Sequence, residues 1–177
     1  LDRLGKLGIE TRAIRTIGHA YTAQCFVTAD LDNNQITAFH PGAMQFSHEN
    51  NVADVGSVRV VIIAPDGRDG MLKHAHDCAR LNVPFMFDPG QQLPMFSGEE
   101  LIQFINEASY VAANDYEFEM LMDRTGLSLP QIAGRLDALI VTRGEKGSEI
   151  YADGERHEIP CVPAAAVTVH GKHQPLQ

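Results

Sequence analysis

The pattern of apolar and polar positions changes character about a third of the way along the chain. From residue 57 onward, short apolar runs alternate with longer segments of helical period. Val58-Arg59-Val60-Val61-Ile62-Ile63-Ala64 is a β-branched run closed by Pro65 and fits a strand buried on both faces. Over 71–81, apolar residues fall at Met71, Leu72, Ala75, Cys78, Ala79 and Leu81, which predicts a helix packed on a sheet. A strand over 83–87 follows. Ser97-Gly98-Glu99-Glu100 then reads as a capping box opening a helix to about residue 107. Further strands are expected over 109–113 and 138–142, with a helix over about 115–124 and a short one from Ser128 between them. Such alternation predicts parallel strands joined by right-handed crossovers. The first ~55 residues instead carry strand-like runs over 12–17, 21–29 and 35–40, with a turn at Asp30-Leu31-Asp32-Asn33-Asn34. A closing hairpin is expected around Asp153-Gly154, between residues 147–152 and 156–161.

Polar residues stand at each expected strand exit: Asp66, Asp88, Asn114 with Glu117, and Thr142 with Gly144. Parallel strands bring their carboxyl ends to one edge, where open α/β sheets hold phosphate-bearing ligands. Each position also has a conformational explanation. Asp and Asn favour turns, and Asn114 with Glu117 closes a first helical turn as a capping box does. The two explanations of that pair are compatible, because the same helix start favours anions and a carboxylate there suits hydrated Mg²⁺. Likewise, Gly144 and Gly147 permit a tight turn and also a close backbone approach to a ligand.

Bulk properties narrow the classes. With 177 residues, 44% apolar and 21% charged, the chain suits one well-buried globular core. Its net charge of −9 is spread along the sequence and argues against nucleic acid as a partner. Cys25, Cys78 and Cys161 are odd in number and widely spaced, as expected of reduced thiols in a cytoplasmic protein. No apolar stretch approaches the ~18 residues of a membrane helix, so no membrane partner is expected. The eight histidines carry no metal spacing.

These residues resemble the ribokinase-like, or PfkB, family of sugar and nucleoside kinases, up to about residue 166. Residues 4–11 (Leu-Gly-Lys-Leu-Gly-Ile-Glu-Thr) are similar to the segment preceding that family's lid. Residues 21–26, Asp32-Asn33-Asn34 and Phe39-His40-Pro41-Gly42-Ala43 are similar to its lid strands. Asn114 and Glu117 fall on the family's N-x-x-E, and Thr142, Gly144 and Gly147 on its T-x-G-x-x-G. The resemblance implies a parallel, Rossmann-like α/β layer with helices on both faces and a small β lid. It further implies ATP and Mg²⁺ as cofactors, with Asn114, Thr142, Arg143, Gly144 and Gly147 holding the nucleotide. Glu117, and Asn114 through water, would serve the metal. The expected organisation is a partial lid at 12–45, an incomplete nucleotide-binding domain at 46–167 and a tail at 168–177 unlike the family.

Within the family, Phe87-Asp88-Pro89-Gly90-Gln91-Gln92-Leu93 looks most like bacterial adenosine kinases. The implied activity is transfer of the ATP γ-phosphate to adenosine, in purine salvage. Gln91, Gln92, Thr22, Gln24 and Phe26 would hold the acceptor, although Gln91 and Gln92 also read as solvated loop residues. The alternatives are a sugar or sugar-phosphate kinase and, in another class, a non-catalytic α/β ligand-binding module. A homodimer through the lid is a further expectation. Two family elements are missing from the sequence: the glycine-rich substrate motif that would precede Leu1, and the D-T-x-G-A-G-D segment that carries the base. Leu1 in first place suggests a start inside a longer protein, and the 177 residues alone are expected to lack kinase activity.

Overall fold

The computed structural model describes residues 1–30 and 35–163. The 168–177 tail and the centre of the Asp30–Asn34 turn lie outside the described residues. A short helix α1 (Asp2–Lys6) precedes an antiparallel pair, β1 (Gln24–Ala29) and β2 (Gln35–His40). The remainder builds one six-stranded sheet in the order β3 (Val61–Ile63), β4 (Phe85–Phe87), β5 (Tyr110–Asn114), β6 (Ala138–Thr142), β7 (Ser148–Ala152) and β8 (Glu155–Ile159). The first four strands are parallel, and β7 and β8 continue the sheet antiparallel. Helix α2 (Arg68–Leu81) joins β3 to β4, and α3 (Gly98–Glu107) joins β4 to β5. Helices α4 (Asp115–Thr125) and α5 (Leu129–Ala133) join β5 to β6.

The mainly parallel α/β layer with a two-stranded lid is what the alternation predicts, and strand register shows where the helices go. Ile63, Phe85, Phe87, Val111, Ala113, Leu139 and Val141 share one face through successive pairings and are all buried. They form a cluster with Met71, Ala75 and Cys78 of α2, Leu101, Phe104 and Ile105 of α3, Phe118 and Leu121 of α4, and Ile132 of α5. The other face carries Ile62, Met86, Tyr110, Ala112 and Ile140, none of them buried, with Ile62 63% exposed. Thus, among the described residues, helices cover one face where the sequence implies two. Consecutive right-handed crossovers that step through a sheet in one direction put every helix on the same side. Covering both sides takes a reversal of strand order, and β3 to β6 run without one.

Phe87 stacks on Phe104 with centroids 4.1 Å apart, and Phe96 meets Phe104 edge-on at 5.1 Å. Burial of each such ring is worth ~1.5–3 kcal/mol, and these three weld the α3 layer to β4. Both arms of the α3 capping box form, Glu100 N to Ser97 Oγ at 3.2 Å and Ser97 N to Glu100 Oε2 at 2.9 Å.

Some expected strands shorten or vanish for identifiable reasons. The 12–17 run forms no strand: Arg12 donates to the Val55 carbonyl at 2.7 Å and Arg15 pairs with Glu49 at 2.8 Å, so side chains rather than a ladder hold it. β1 starts at Gln24 rather than residue 21, because the Tyr21 carbonyl is taken by the amide of Ala43 at 2.7 Å. β3 covers only part of 58–64, because β4, its one neighbour among the described residues, offers three paired positions, Phe85 to Phe87. Tight 3-10 turns over Gly42–Glu49, Val52–Val55 and Gly90–Met95 have no counterpart among the expected elements.

Candidate active site

The four parallel strands deliver their polar ends to one edge. Asn114 and Thr142, the last residues of β5 and β6, are Cα partners in the ladder. The N-x-x-E helix start and the T-x-G-x-x-G turn therefore open side by side. At the first, Glu117 N donates to Asn114 Oδ1 at 2.8 Å and Asn114 N donates to Glu117 Oε2 at 2.9 Å. The capping explanation of this pair is thus realised in full, with both side chains half-buried at the start of α4. One exit further along, Asp88 is also half-buried. Burial first, and then the Glu117 carboxylate, push its carboxyl above the ordinary value of 3.8. Two carboxylates that repel each other across adjacent exits are a place where a hydrated cation lowers the energy. Among the described residues there is no group of three or more His, Cys, Asp or Glu able to enclose a metal. Glu117, Asp88 and Asn114 are the residues that could hold a divalent cation here, through water rather than in a protein cage.

The glycine turn is closed by three backbone bonds: Arg143 N to Gly147 O at 2.8 Å, Lys146 N to Arg143 O at 3.1 Å and Gly147 N to Gly144 O at 3.1 Å. Gly144 and Gly147 both have positive φ, +56° and +89°. Thr142 is exposed at the mouth of the turn. The Arg143 side chain runs back along the sheet to Glu149 Oε2 at 3.0 Å. Glu149 is a residue that sequence reasoning missed. It is only 7% exposed, yet it stands on the β7 face that pairs with buried Val141. Its signal was there to read: a charge at an inward position of the alternating run Ser148-Glu149-Ile150-Tyr151. Its carboxyl lies below the ordinary value of 4.5, held there by hydrogen bonds from Arg156 and then Tyr151, against burial.

A cleft of 430 Å³ opens between the base of the lid and the exits of β3 and β4. Phe39 and Pro41 line it from the lid side, and Asp66, Arg68 and Gln92 from the body. Arg68 is fixed there by Glu100, with which it forms a short ion pair, and by the Met95 carbonyl at 3.3 Å. Gln92 therefore faces the cleft, whereas Gln91 is exposed and absent from its lining. Thr22, Gln24 and Phe26 are exposed and do not line it either. Register puts Gln24 and Phe26 on the lid face opposite Cys25 and its partner Phe39. Two other hollows, of 510 Å³ along β3 and 580 Å³ beside α5 and the β7–β8 turn, bring together none of these exit residues except Asp66.

Against this geometry, residues 1–169 match the pfkB family of carbohydrate kinases. The chain belongs to that family. It is 37% identical over 146 residues to a nucleoside kinase of Methanocaldococcus jannaschii, a match covering 82% of this chain and 48% of that protein. Among solved structures it is similar to Burkholderia thailandensis nucleoside kinase in complex with inosine, with 46% identity and a TM-score of 0.90. That match covers 94% of this chain and 55% of the other. The same Burkholderia protein in an ADP–inosine complex superposes with a TM-score of 0.88, over 94% of this chain and 52% of that one. The chain spans about half the length of the relatives it matches.

Proposed function

We propose that the whole protein is an ATP- and Mg²⁺-dependent kinase for a hydroxyl of a purine nucleoside, and that this chain supplies much of its nucleotide and acceptor seats. The observation that carries the reading is the pairing of Asn114 with Thr142, which sets an anion-favouring helix start beside a turn whose backbone a nucleotide can approach. In such a transfer the acceptor oxygen bonds to the γ-phosphorus, the bond to the β-phosphate oxygen breaks, ADP leaves and a base takes the hydroxyl proton. Catalysis is then mostly positioning and charge stabilisation. Mg²⁺ would offset phosphate charge near Glu117 and Asp88, with Asn114 holding a metal water. Backbone amides of the 143–147 turn would hold the nucleotide. The cleft of Phe39, Arg68 and Gln92 would take the acceptor, with Phe39 against a planar base. Thr22, Gln24 and Phe26 reach an acceptor only if the lid moves onto it.

Adenosine is the acceptor implied by the Phe87–Leu93 sequence, in purine salvage in the cytoplasm. The inosine held by the Burkholderia relative sets inosine beside it as a candidate. The sequence contains no D-T-x-G-A-G-D segment, so binding without turnover is the reading for these 177 residues alone. Dimerisation is proposed through the lid, whose Phe26 and Ile36 share one face and are 64% and 78% exposed. The test is phosphoryl transfer by the whole protein to adenosine, inosine, ribose and fructose 6-phosphate, with and without Mg²⁺. Turnover of neither nucleoside would overturn the acceptor class in favour of a sugar kinase. Metal-independent binding of a non-nucleotide, without any turnover, would favour a plain binding module.

A further inference from the structure

Glu149 occupies a position that sheet packing alone would give to an apolar residue. Its ladder partner is Val141, and the same face carries Leu139 and Ala113, all buried. A carboxylate there is costly unless its oxygens are paired. Three donors pair them. Tyr151 Oη reaches Oε2 at 2.5 Å, Arg156 reaches Oε1 at 2.7 Å and Arg143 reaches Oε2 at 3.0 Å. Two of these come from the β7–β8 hairpin itself and fix the carboxylate in place. The third comes from the glycine turn.

Arg143 is the first residue past β6, and its backbone amide closes the turn on the Gly147 carbonyl. Its φ of −128° and ψ of 35° lie outside the strand and helix basins. Its Nε is buried without a partner, so the pair with Glu149 is a single-point tether rather than a bidentate clamp. The hairpin grips the turn at two more points: Cys161 Sγ lies 3.2 Å from the Gly144 carbonyl, and Gly147 packs against the backbone of Ile159. Arg156 has a second acidic partner, Glu158 at 2.7 Å, whereas among the described residues Arg143 pairs with Glu149 alone.

We infer that Glu149 is a positioning residue for the nucleotide turn: through Arg143 it holds residues 143–147 in the conformation that receives the nucleotide, and keeps the guanidinium folded away from the strand exits. The inference rests on the nucleotide reading of that turn. It gives the antiparallel hairpin a task beyond extending the sheet, since the hairpin buttresses one side of the site from behind.

Two readouts test it separately on the 177-residue chain. Hydrogen exchange at the amides of Arg143, Lys146 and Gly147 follows the turn with no nucleotide present. Calorimetric titration with Mg-ADP follows its use. Glu149→Gln and Arg143→Gln, which remove opposite ends of one bond, should each speed exchange at those amides about tenfold and weaken Mg-ADP about tenfold. The double variant should go little beyond either single one. Affinity for adenosine should stay within about twofold. Arg156→Ala removes the other guanidinium from the same carboxylate, so it should lower the melting temperature but leave turn exchange and ADP affinity within about twofold. Arg143 is half-buried where Glu149 is 7% exposed, so Arg143→Gln is the milder change and decides the matter if Glu149→Gln does not fold. Unchanged exchange in Arg143→Gln, or Arg156→Ala matching it in both readouts, would overturn the inference. If the wild-type chain binds no ADP, the nucleotide reading itself fails, and exchange alone still decides whether Glu149 holds the turn.

Discussion

Gly147→Ala offers the sharpest check on the geometry of the glycine turn, because Gly144→Ala is its built-in control. Both residues have positive φ, at +89° and +56°. At Gly144 an L-residue meets the positive-φ penalty, ~1–2 kcal/mol; at Gly147, whose ψ of −139° lies near the region that essentially only glycine visits, the strain is ~1–3 kcal/mol. The surroundings differ. A Cβ on Gly144 would meet nothing within 4 Å. On Gly147 it would collide with the Ile159 carbonyl oxygen and stand 3.0 Å from the Cys161 amide nitrogen. Both obstacles are backbone, so relief means shifting the end of β8 rather than rotating a side chain. Forced repacking of that kind typically adds ~1–3 kcal/mol. The expected losses are therefore about 1–2 kcal/mol for Gly144→Ala and about 2–6 kcal/mol for Gly147→Ala. For a domain whose whole stability is ~5–15 kcal/mol, the second approaches unfolding. Urea denaturation followed by far-UV circular dichroism measures both, with exchange at the β7–β8 amides reporting any loss confined to the hairpin. Equal losses, within ~0.5 kcal/mol, from the two variants by both measures would refute the packing of the hairpin on the turn.

Phe104→Ala removes the ring on which both Phe87 and Phe96 pack; a loss of ~3–5 kcal/mol in urea denaturation is expected. Asn114→Ala opens one arm of the α4 capping box and should cost ~1 kcal/mol of stability. It should also weaken Mg-ADP more than ADP without metal, which titration under both conditions checks. The pH dependence has a defined sign. Glu149 and Glu100 sit below 4.5 in the fold, held mainly by Arg156 and by the Ser97 amide. Their stabilisation is present above about 4.5 and is lost as pH falls through the lowered values. Glu149→Gln should therefore flatten the acid limb of thermal stability. Asp88, raised by burial and Glu117, works the other way, so Asp88→Asn should raise the melting temperature at neutral pH.

Legibility in the sequence followed how local each determinant is. The helices α3 and α4 were readable to within a residue or so, because capping boxes at Ser97 and Asn114 mark their starts with side chains three positions apart. The parallel strands were readable because short, mainly apolar runs alternate with helical segments along the chain. What failed was set by partners. The 12–17 run has strand-like composition, yet Arg12 and Arg15 are drawn to Val55 and Glu49, 43 and 34 residues away. The three-residue ladder with β4 trims a seven-residue run at β3 to three, and nothing in the run itself says how short its neighbour is. In the site, the exits Asn114 and Thr142 followed from strand direction alone. The Arg143–Glu149 tether did not, because it depends on β7 folding back antiparallel on β6, so that one turn residue meets the second position of the next strand.

The same contrast separates the two sides of the site. The proposed nucleotide side stands on β5 and β6, where Val111, Leu139 and Val141 are at most 1% exposed, and is braced by a paired buried carboxylate. Its shape exists before any ligand arrives. The lid has no buried residue in β1, and its pairing puts Cys25, Val27 and Phe39 on one face and Phe26, Ala38 and Ile36 on the other. A lone two-stranded hairpin is marginal in water, and an apolar group on each face leaves this one short of cover twice over. An acceptor in the cleft of Phe39 and Gln92, as proposed, would cover only the first face. The second face, which carries Phe26 at 64% exposure, is the ground for proposing that a second copy of the lid, rather than the acceptor, meets it. On the proposed reading, acceptor binding and association would cover opposite faces of one hairpin, so neither would obstruct the other.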